Sequence, residues 1–172
     1  SLAIHAALTG HLVLSTLHTN NAIGVIPRLT DMGVDPFLVA PTLILALGQR
    51  LARKLCPDSR KGVKISGRTK EIIASELEQM PPAIRDQAKK QMSVEIYQPQ
   101  ISGTCPKGAR GRIGLFEVLS MTPELEKIIL TGPSESKIAE EAKRQLMITM
   151  KQDGILKVLN GIIGLEELLE VV

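Results

Sequence analysis

Residues 9–20 read Thr-Gly-His-Leu-Val-Leu-Ser-Thr-Leu-His-Thr-Asn, an apolar run that lies between His11 and His18 and follows a turn signal. A short apolar run of this kind is typical of a buried strand, and of a parallel strand in particular. Thr19, Asn20 and Asn21 then offer side chains that can cap a helix. Because α/β folds bring ligand-binding groups to the carboxyl ends of strands, the stretch predicts a binding edge at His18.

The two histidines lie at opposite ends of this predicted strand. An extended chain separates them by roughly 20 Å, so they cannot bind one metal ion unless a turn folds one of them back. A histidine at a strand end is often only a structural residue, and this interpretation stays open for both. The alternative for His18 is contact with a ligand, because polar residues that open a helix follow it.

Helical patterns flank the stretch on both sides. A helical pattern begins in residues 1–4 and is closed by Thr9-Gly10, and apolar residues at helical spacing predict a second helix that ends at Gly33. Those apolar residues are Ala22, Ile23, Ile26, Leu29 and Met32. Asp35-Pro36 begins a third helix, while residues 43–55 fit a helix or a strand equally well.

The pattern changes from mixed to purely helical at about residue 120. In chain order we expect a loop at 62–67, helices at 69–80 and 83–92, a strand at 94–97, a glycine-rich turn region at 101–112 and a strand at 113–119. Four helices follow, and they begin near Thr122, Ser134, Thr149 and Leu165, with capping-box spacing from Thr149 to Gln152. The sequence thus predicts an α/β protein that ends in a small helical bundle.

Composition limits the classes of function. The 172 residues leave room for one domain and an appendage, and 44% hydrophobic with 23% charged residues is globular composition. Aromatic residues make up only 2%, which argues against a base-stacking platform for nucleic acid. With two cysteines, Cys56 and Cys105, we expect no disulfide framework, no four-thiolate zinc site and a reducing compartment.

Positive charge is concentrated in one part of the chain. The net charge is only +3, but residues 50–70 contain eight basic side chains and a single acid, Asp58. The basic residues are Arg50, Arg53, Lys54, Arg60, Lys61, Lys64, Arg68 and Lys70. Such a stretch suits phosphate, an anionic membrane surface or an acidic partner, and a merely solvated face is the alternative.

The motifs that hold a nucleotide are missing from the printed sequence. It contains neither a G-x-x-x-x-G-K-[ST] phosphate loop nor a G-x-G-x-x-G fingerprint. A complete nucleotide pocket therefore cannot be built from this chain alone.

Residues 9–20 nevertheless resemble the histidine box of the secretion ATPase superfamily, the hexameric motors of type II secretion and type IV pilus assembly. The resemblance continues, in the family's order, through Pro27-Arg28-Leu29, Asp31-Met32-Gly33, Gln49-Arg50-Leu51, residues 53–56, 111–117 and 150–157, Gly161 and residues 165–167. In that family the phosphate loop and the magnesium-binding motif lie upstream of the histidine box. The chain therefore resembles the C-terminal portion of a longer motor, and we expect it to be inactive as an isolated chain.

The resemblance implies a fold, a division of the chain and cofactors. The fold would be the C-terminal part of a RecA-like P-loop ATPase core, followed by a small helical subdomain. Residues 1–55 would hold the last core elements with the histidine box, residues 56–110 an arm with a helical insertion, and residues 111–172 the closing strand and the helices. The strand at Gln49–Leu51 would pair with residues 111–117. ATP and Mg would be the cofactors of the full-length protein.

The resemblance also implies roles for single residues. His18 matches the histidine that is thought to sense the γ-phosphate, and His11 matches its partner; these two are the predicted catalytic residues. Four further residues would bind or sense the nucleotide, namely Thr16, Thr19, Asn20 and Arg50. Many members also carry two C-x-x-C pairs that bind zinc. Here these positions read Cys56-Pro-Asp-Ser59 and Cys105-Pro-Lys-Gly108, so zinc is not expected.

Partners and location follow from the same resemblance. They would be identical subunits of a hexamer and an inner-membrane platform protein, with the motor cytoplasmic and peripheral at the inner face of the membrane. No nucleic acid is expected. Two alternatives stay open: a non-enzymatic interaction module that binds an acidic partner or nucleic acid, and a relative that drives DNA uptake or conjugation.

Overall fold

A computed structural model describes residues 2–91 and 95–172 and shows a mixture of helices and strands. In chain order these are α1 (Leu2–Leu8), α2 (Val25–Asp31), α3 (Pro36–Thr42), β1 (Leu45–Leu55), β2 (Lys61–Lys64), α4 (Gly67–Gln79), α5 (Pro82–Gln91), β3 (Glu95–Gln98), β4 (Ala109–Ser120), α6 (Pro123–Thr131), α7 (Glu135–Arg144), α8 (Met150–Leu159) and α9 (Leu165–Val171). Among these helices, none is long and apolar enough to cross a membrane.

The chain forms two compact units, and each unit is built from two separated stretches. The first unit contains residues 1–48 and 117–147, and the second contains residues 49–116 and 148–172. Helices α6 and α7 therefore belong to the first unit, whereas α8 and α9 belong to the second. The units cut across the three segments drawn from the sequence, and that division stays a prediction.

The core of the first unit is aliphatic and packs the short helices against the ends of two strands. Its buried members come from α2 and the turn before it, and from α3, β1, β4, α6 and α7; they are Ala22, Ile26, Val39, Ala40, Ala46, Leu119, Leu125, Ile129, Ile138 and Ala142. The predicted caps are confirmed: Asp35 accepts the amide of Phe37 at 2.9 Å, and Thr122 accepts that of Leu125 at 3.1 Å. Met32 was expected on the apolar face of α2 but is 58% exposed.

The second unit has a core of its own, formed by α4, α5, α8 and α9 with parts of the strands. The predicted capping box of α8 is confirmed by reciprocal hydrogen bonds between Thr149 and Gln152. The predicted loop at 62–67 is wrong for residues 62–64, because β2 pairs with β3 in antiparallel register, with Val63 opposite Ile96, whereas residues 65 and 66 have no helix or strand assignment. This pairing joins segments about 30 residues apart, and the periodicity of a short segment gives no information about so distant a partner.

The two long strands, β1 and β4, are hydrogen-bonded neighbours. This settles the open choice at residues 43–55 in favour of a strand, and it confirms that the strand with residues 49–51 pairs with the strand that contains residues 111–117. β4 begins at Ala109, so the turn region predicted at 101–112 wrongly includes the first residues of this strand. The strand at 94–97 is confirmed as Glu95–Gln98, and the helix at 83–92 as α5; Val94 and Met92 lie outside the described residues.

The strand predicted at His11–His18 is wrong. These residues have no helix or strand assignment, and Leu12 and Leu14 are 78% and 90% exposed. The sheets of the described residues pair only β1 with β4 and β2 with β3. An apolar extended segment becomes a strand only when a neighbour satisfies its backbone groups, and no described residue does so here.

The two cysteines are joined. Cys56 and Cys105 form a disulfide that links positions 49 residues apart in the second unit. The expectation of two reduced thiols is therefore wrong. Sequence spacing did not suggest the pair, because the residues meet only after β1 and β4 have paired.

Candidate functional site: the 16–22 turn and its carboxylate anchor

A turn lies between the histidine box and α2, and its geometry is set by Asn21. The side-chain oxygen of Asn21 accepts the amide of Gly24 at 2.8 Å, just before α2 begins. The Thr19 hydroxyl donates to the Asn21 carbonyl at 3.0 Å. Thr19, Asn20 and Asn21 had been expected to offer caps, and of these three Asn21 is the one whose side chain accepts an amide in this turn.

A buried carboxylate fixes the end of this turn. The amide of Ala22 donates to Oε1 of Glu117 on β4 at 2.6 Å, and both residues are almost fully buried. Gly48 on β1 leaves room for this side chain, since a Cβ there would lie 2.7 Å from Cγ of Glu117. A hydrogen bond between an amide and a buried carboxylate is among the stronger ones in proteins.

Glu117 was missed as a site residue, although the sequence carried a signal for it. It is an acid inside the otherwise apolar stretch Ile113–Leu119, and buried acids require a partner. The partner could not be foreseen, because Ala22 offers only its backbone amide.

His18 is exposed, and within residues 2–91 and 95–172 its imidazole has no hydrogen-bond partner. The neighbouring Thr16 and Asn20 are exposed as well, and Thr19 is half-buried. His18, Thr16 and Asn20 are therefore uncommitted donors on this turn, whereas the Thr19 hydroxyl is engaged by the Asn21 carbonyl. An imidazole or hydroxyl in this state can donate a hydrogen bond to a phosphate oxygen.

His11 is held differently. Its Nδ1 lies 3.2 Å from the carbonyl oxygen of Ala6 and 3.1 Å from the hydroxyl of Thr9, at the C-terminal turn of α1. Because a carbonyl only accepts, the tautomer with a proton on Nδ1 suits this contact. The arrangement favours a structural role for His11, in contrast to His18.

Arg50 belongs to another part of the molecule. It is an exposed residue of β1 in the second unit, whereas the other five predicted site residues belong to the first. All eight basic residues of the 50–70 stretch lie in the second unit. Arg53 is engaged there by Glu167 of α9, which accepts both its amide and its Nε at 2.7 Å.

A second buried carboxylate ties the far end of β4 to the helices of the first unit. Glu141 of α7 accepts hydrogen bonds from Nε of Arg144 at 2.6 Å, from the Thr122 hydroxyl at 2.6 Å and from Gln145 at 3.0 Å. These bonds, that from Arg144 above all, lower the pKa of Glu141 to about 2, against the opposing effect of burial. Gln145 also exchanges two hydrogen bonds with the backbone of Ser120, at 3.2 and 3.0 Å.

Metal-binding chemistry is not visible in the part of the chain that the structure describes. There, no three His, Cys, Asp or Glu side chains come close enough to hold a metal ion.

The chain belongs to the type II/IV secretion system protein family, whose model matches residues 1–170. Three relatives illustrate the match. The chain is 37% identical to the type IV pilus assembly ATPase PilB of Acinetobacter baylyi over 97% of its own length. It is 36% identical to the type II secretion system ATPase E of Vibrio cholerae and 40% identical to the type II secretion system protein E of Aeromonas hydrophila, in both cases over 99% of its length.

The match covers only part of these relatives. The chain spans 27% of the pilus protein and 31% of each secretion protein. The match over residues 1–170 confirms the family resemblance that residues 9–20 indicated. The activity and the partners of the relatives belong to proteins about three to four times as long as this chain.

Proposed function

We propose that this chain is the C-terminal part of a hexameric motor ATPase that powers type IV pilus assembly or type II protein secretion. The observation that carries the proposal is the family match over residues 1–170, together with relatives named as ATPases of both machines. ATP and Mg would be bound by the longer protein. The residues of this chain fit a sensing role only, since the uncommitted His18, Thr16 and Asn20 can donate to an oxyanion.

In this proposal His18 reports the state of the γ-phosphate. Its imidazole donates a hydrogen bond to a phosphate oxygen of ATP, and this bond is lost when the phosphate leaves. A contact that differs between two nucleotide states can shift a conformational equilibrium by its differential energy.

The first unit offers a route for that signal. His18 is four residues from Ala22, whose amide is anchored to Glu117 of β4. Three residues further along β4, Ser120 is held by Gln145 of α7. A displacement of the turn would thus reach α7 through two side chain–backbone links, which makes this chain a candidate transmission element.

The remaining parts of the proposal concern assembly. Identical subunits would form the hexamer, the platform protein of the inner membrane would be the cargo-side partner, and the motor would lie at the cytoplasmic face of that membrane. Exposed basic residues such as Arg50, Lys61 and Lys64 would face a neighbouring subunit or the platform protein.

ATP hydrolysis by the full-length protein tests the proposal. The reading frame around this chain should encode an upstream phosphate loop, and the purified full-length protein should hydrolyse ATP in the presence of magnesium. The 172-residue chain alone should show no turnover above a heat-inactivated control. A frame without a phosphate loop would contradict the proposal and favour the non-enzymatic interaction module.

A further inference from the structure

A cavity of about 460 Å³ opens in the second unit. Lining residues come from three stretches of chain, within 54–60, 104–110 and 161–162. Its volume is in the range of small-molecule binding sites. The cavity is not lined by any residue to which the family resemblance gave a role in nucleotide binding. A ligand of this cavity would therefore bind apart from the proposed nucleotide-sensing residues.

The charge of the lining is positive. Lys54, Arg60 and Arg110 contribute three cations, and Asp58 is the one acidic lining residue. Among the described residues, neither Lys54 nor Arg110 takes part in an ion pair. Two of the three cations are therefore available to an anion that enters the cavity.

The third cation is held in a fixed position. Nη1 of Arg60 donates to the carbonyl of Gly161, and its guanidinium carbon lies 4.1 Å from the centre of the Tyr97 ring. Gly161 has φ +66°, and a Cβ at this position would lie 2.6 Å from both Arg60 and Tyr97. A guanidinium carries five N–H donors. Arg60 is thus oriented by its neighbours while most of its donors stay free.

The walls of the cavity are tied together. The Cys56–Cys105 disulfide joins two of the three lining stretches, and the amide of Leu55 donates to the carbonyl of Ile162 at 2.8 Å, which joins the third. A site whose walls are already fixed loses less conformational entropy when a ligand binds.

We propose that this cavity binds a small soluble polyanion that carries phosphate groups, with Lys54, Arg60 and Arg110 as the binding residues. Arginine suits phosphate because its planar fork donates two parallel hydrogen bonds, and lysine adds a mobile point charge. The cavity is wide enough for several linked phosphate groups, and three cations around one acid match a ligand with more than one negative charge.

Titration calorimetry on the 172-residue chain tests this site, with sodium tripolyphosphate as the probe at low ionic strength and without magnesium. Lys54→Glu and Arg110→Glu should each weaken binding at least tenfold, because each removes a charge-assisted contact and adds repulsion. Lys70→Glu is the matched control: it makes the same charge change on an exposed residue of α4 outside the cavity, and it should change affinity less than threefold.

Two results would overturn the proposal. The first is no binding of tripolyphosphate; if phosphatidylglycerol vesicles bind in that case, the positive charge serves a membrane. The second is an equal loss for Lys70→Glu, which would mean non-specific attraction to a basic surface. Melting curves accompany each variant, and Lys54→Gln replaces Lys54→Glu if the latter does not fold; it should still weaken binding several-fold.

Discussion

The amide of Ala22 donates to Oε1 of Glu117 at 2.6 Å, and this hydrogen bond joins residues 95 positions apart within the first unit. It connects the turn after the histidine box to β4 at a buried point. The turn is otherwise shaped by local contacts of Thr19 and Asn21. The Glu117 carboxylate therefore supplies a specific polar link between the turn and β4, in addition to the apolar packing of Ala22 and Leu119.

Replacing Glu117 should destabilise the first unit. Glu117→Ala leaves the buried amide of Ala22 without its acceptor, and we expect a loss of about 1–3 kcal/mol in the free energy of unfolding of the 172-residue chain. Val118→Ala, at the exposed neighbouring position of β4, is the control and should cost less than about 1 kcal/mol. Urea denaturation measures both, and equal effects would contradict an anchoring role for Glu117.

Gly48 should be coupled to Glu117. Gly48→Ala forces a Cβ to within 2.7 Å of Glu117, so the single variant should be destabilised. In the Glu117→Ala background the clash is gone, and the same change should cost at least about 1 kcal/mol less. A double-mutant cycle by urea denaturation checks this, and strict additivity would show that the two side chains do not compete for the same space.

The Glu141 cluster should make stability dependent on acid pH. Because the folded state lowers the pKa of Glu141 to about 2, its ionised form stabilises the fold above the ordinary carboxyl pKa of about 4.5, and this contribution is lost as the pH falls towards 2. Glu141→Gln should therefore cost on the order of 1–3 kcal/mol at pH 7 and less at pH 3, where part of this contribution has been lost. Glu140→Gln, at an exposed neighbouring position, should show no such trend. A loss for Glu141→Gln that is equal at both pH values would contradict the ion-pair account.

The disulfide should stabilise the second unit without a metal. Closing a loop of 49 residues is worth about 4 kcal/mol in the chain-entropy model. Reduction, or Cys56→Ser, should lower the denaturation midpoint accordingly, and Cys105→Ser should have the same effect. No further loss should follow when a reductant is added to either variant, and such a loss would argue against the Cys56–Cys105 pairing.

Zinc content gives an independent check on the same two cysteines. Purified protein should contain well under one zinc per chain by mass spectrometry of the metal, because two cysteines already joined to each other leave no thiolate ligands. Stoichiometric zinc that disappears in Cys56→Ser would show that a metal, and not a disulfide, holds these loops.

Local sequence signals predicted most of the helices, but they failed for strands whose partners lie far away in the sequence. Asp35-Pro36, Thr122-Pro123 and Thr149 with Gln152 each carry their capping chemistry within four residues, so the sequence places these helices correctly. β2 pairs with a strand 30 residues away and carries lysines at its ends, so no alternation revealed it. The choice between helix and strand at 43–55 was likewise decided by the partner strand.

Prediction of the candidate site also succeeded where the signal was local and failed where it depended on a distant partner. The resemblance in residues 9–20 was enough to place the chain in its family, whereas the sensing role of Thr16, His18 and Asn20 stays a proposal. The apolar pattern at 11–18 nevertheless predicted a strand that finds no partner among the described residues. Glu117 escaped notice because its partner is a backbone amide, which has no sequence signature.

The measurement that tests the central claim most directly compares His18→Ala with His11→Ala in the full-length protein, by steady-state ATPase rate and melting temperature on the same preparations. His18 is exposed and uncommitted, and a charge-assisted hydrogen bond is worth roughly 1.5–3 kcal/mol. His18→Ala should therefore reduce turnover by about tenfold to a hundredfold, while the melting temperature and ADP binding stay nearly unchanged. His11→Ala should lower the melting temperature more, because its ring contacts the end of α1. A His18→Ala protein with normal specific activity and a lowered melting temperature would contradict the sensing role.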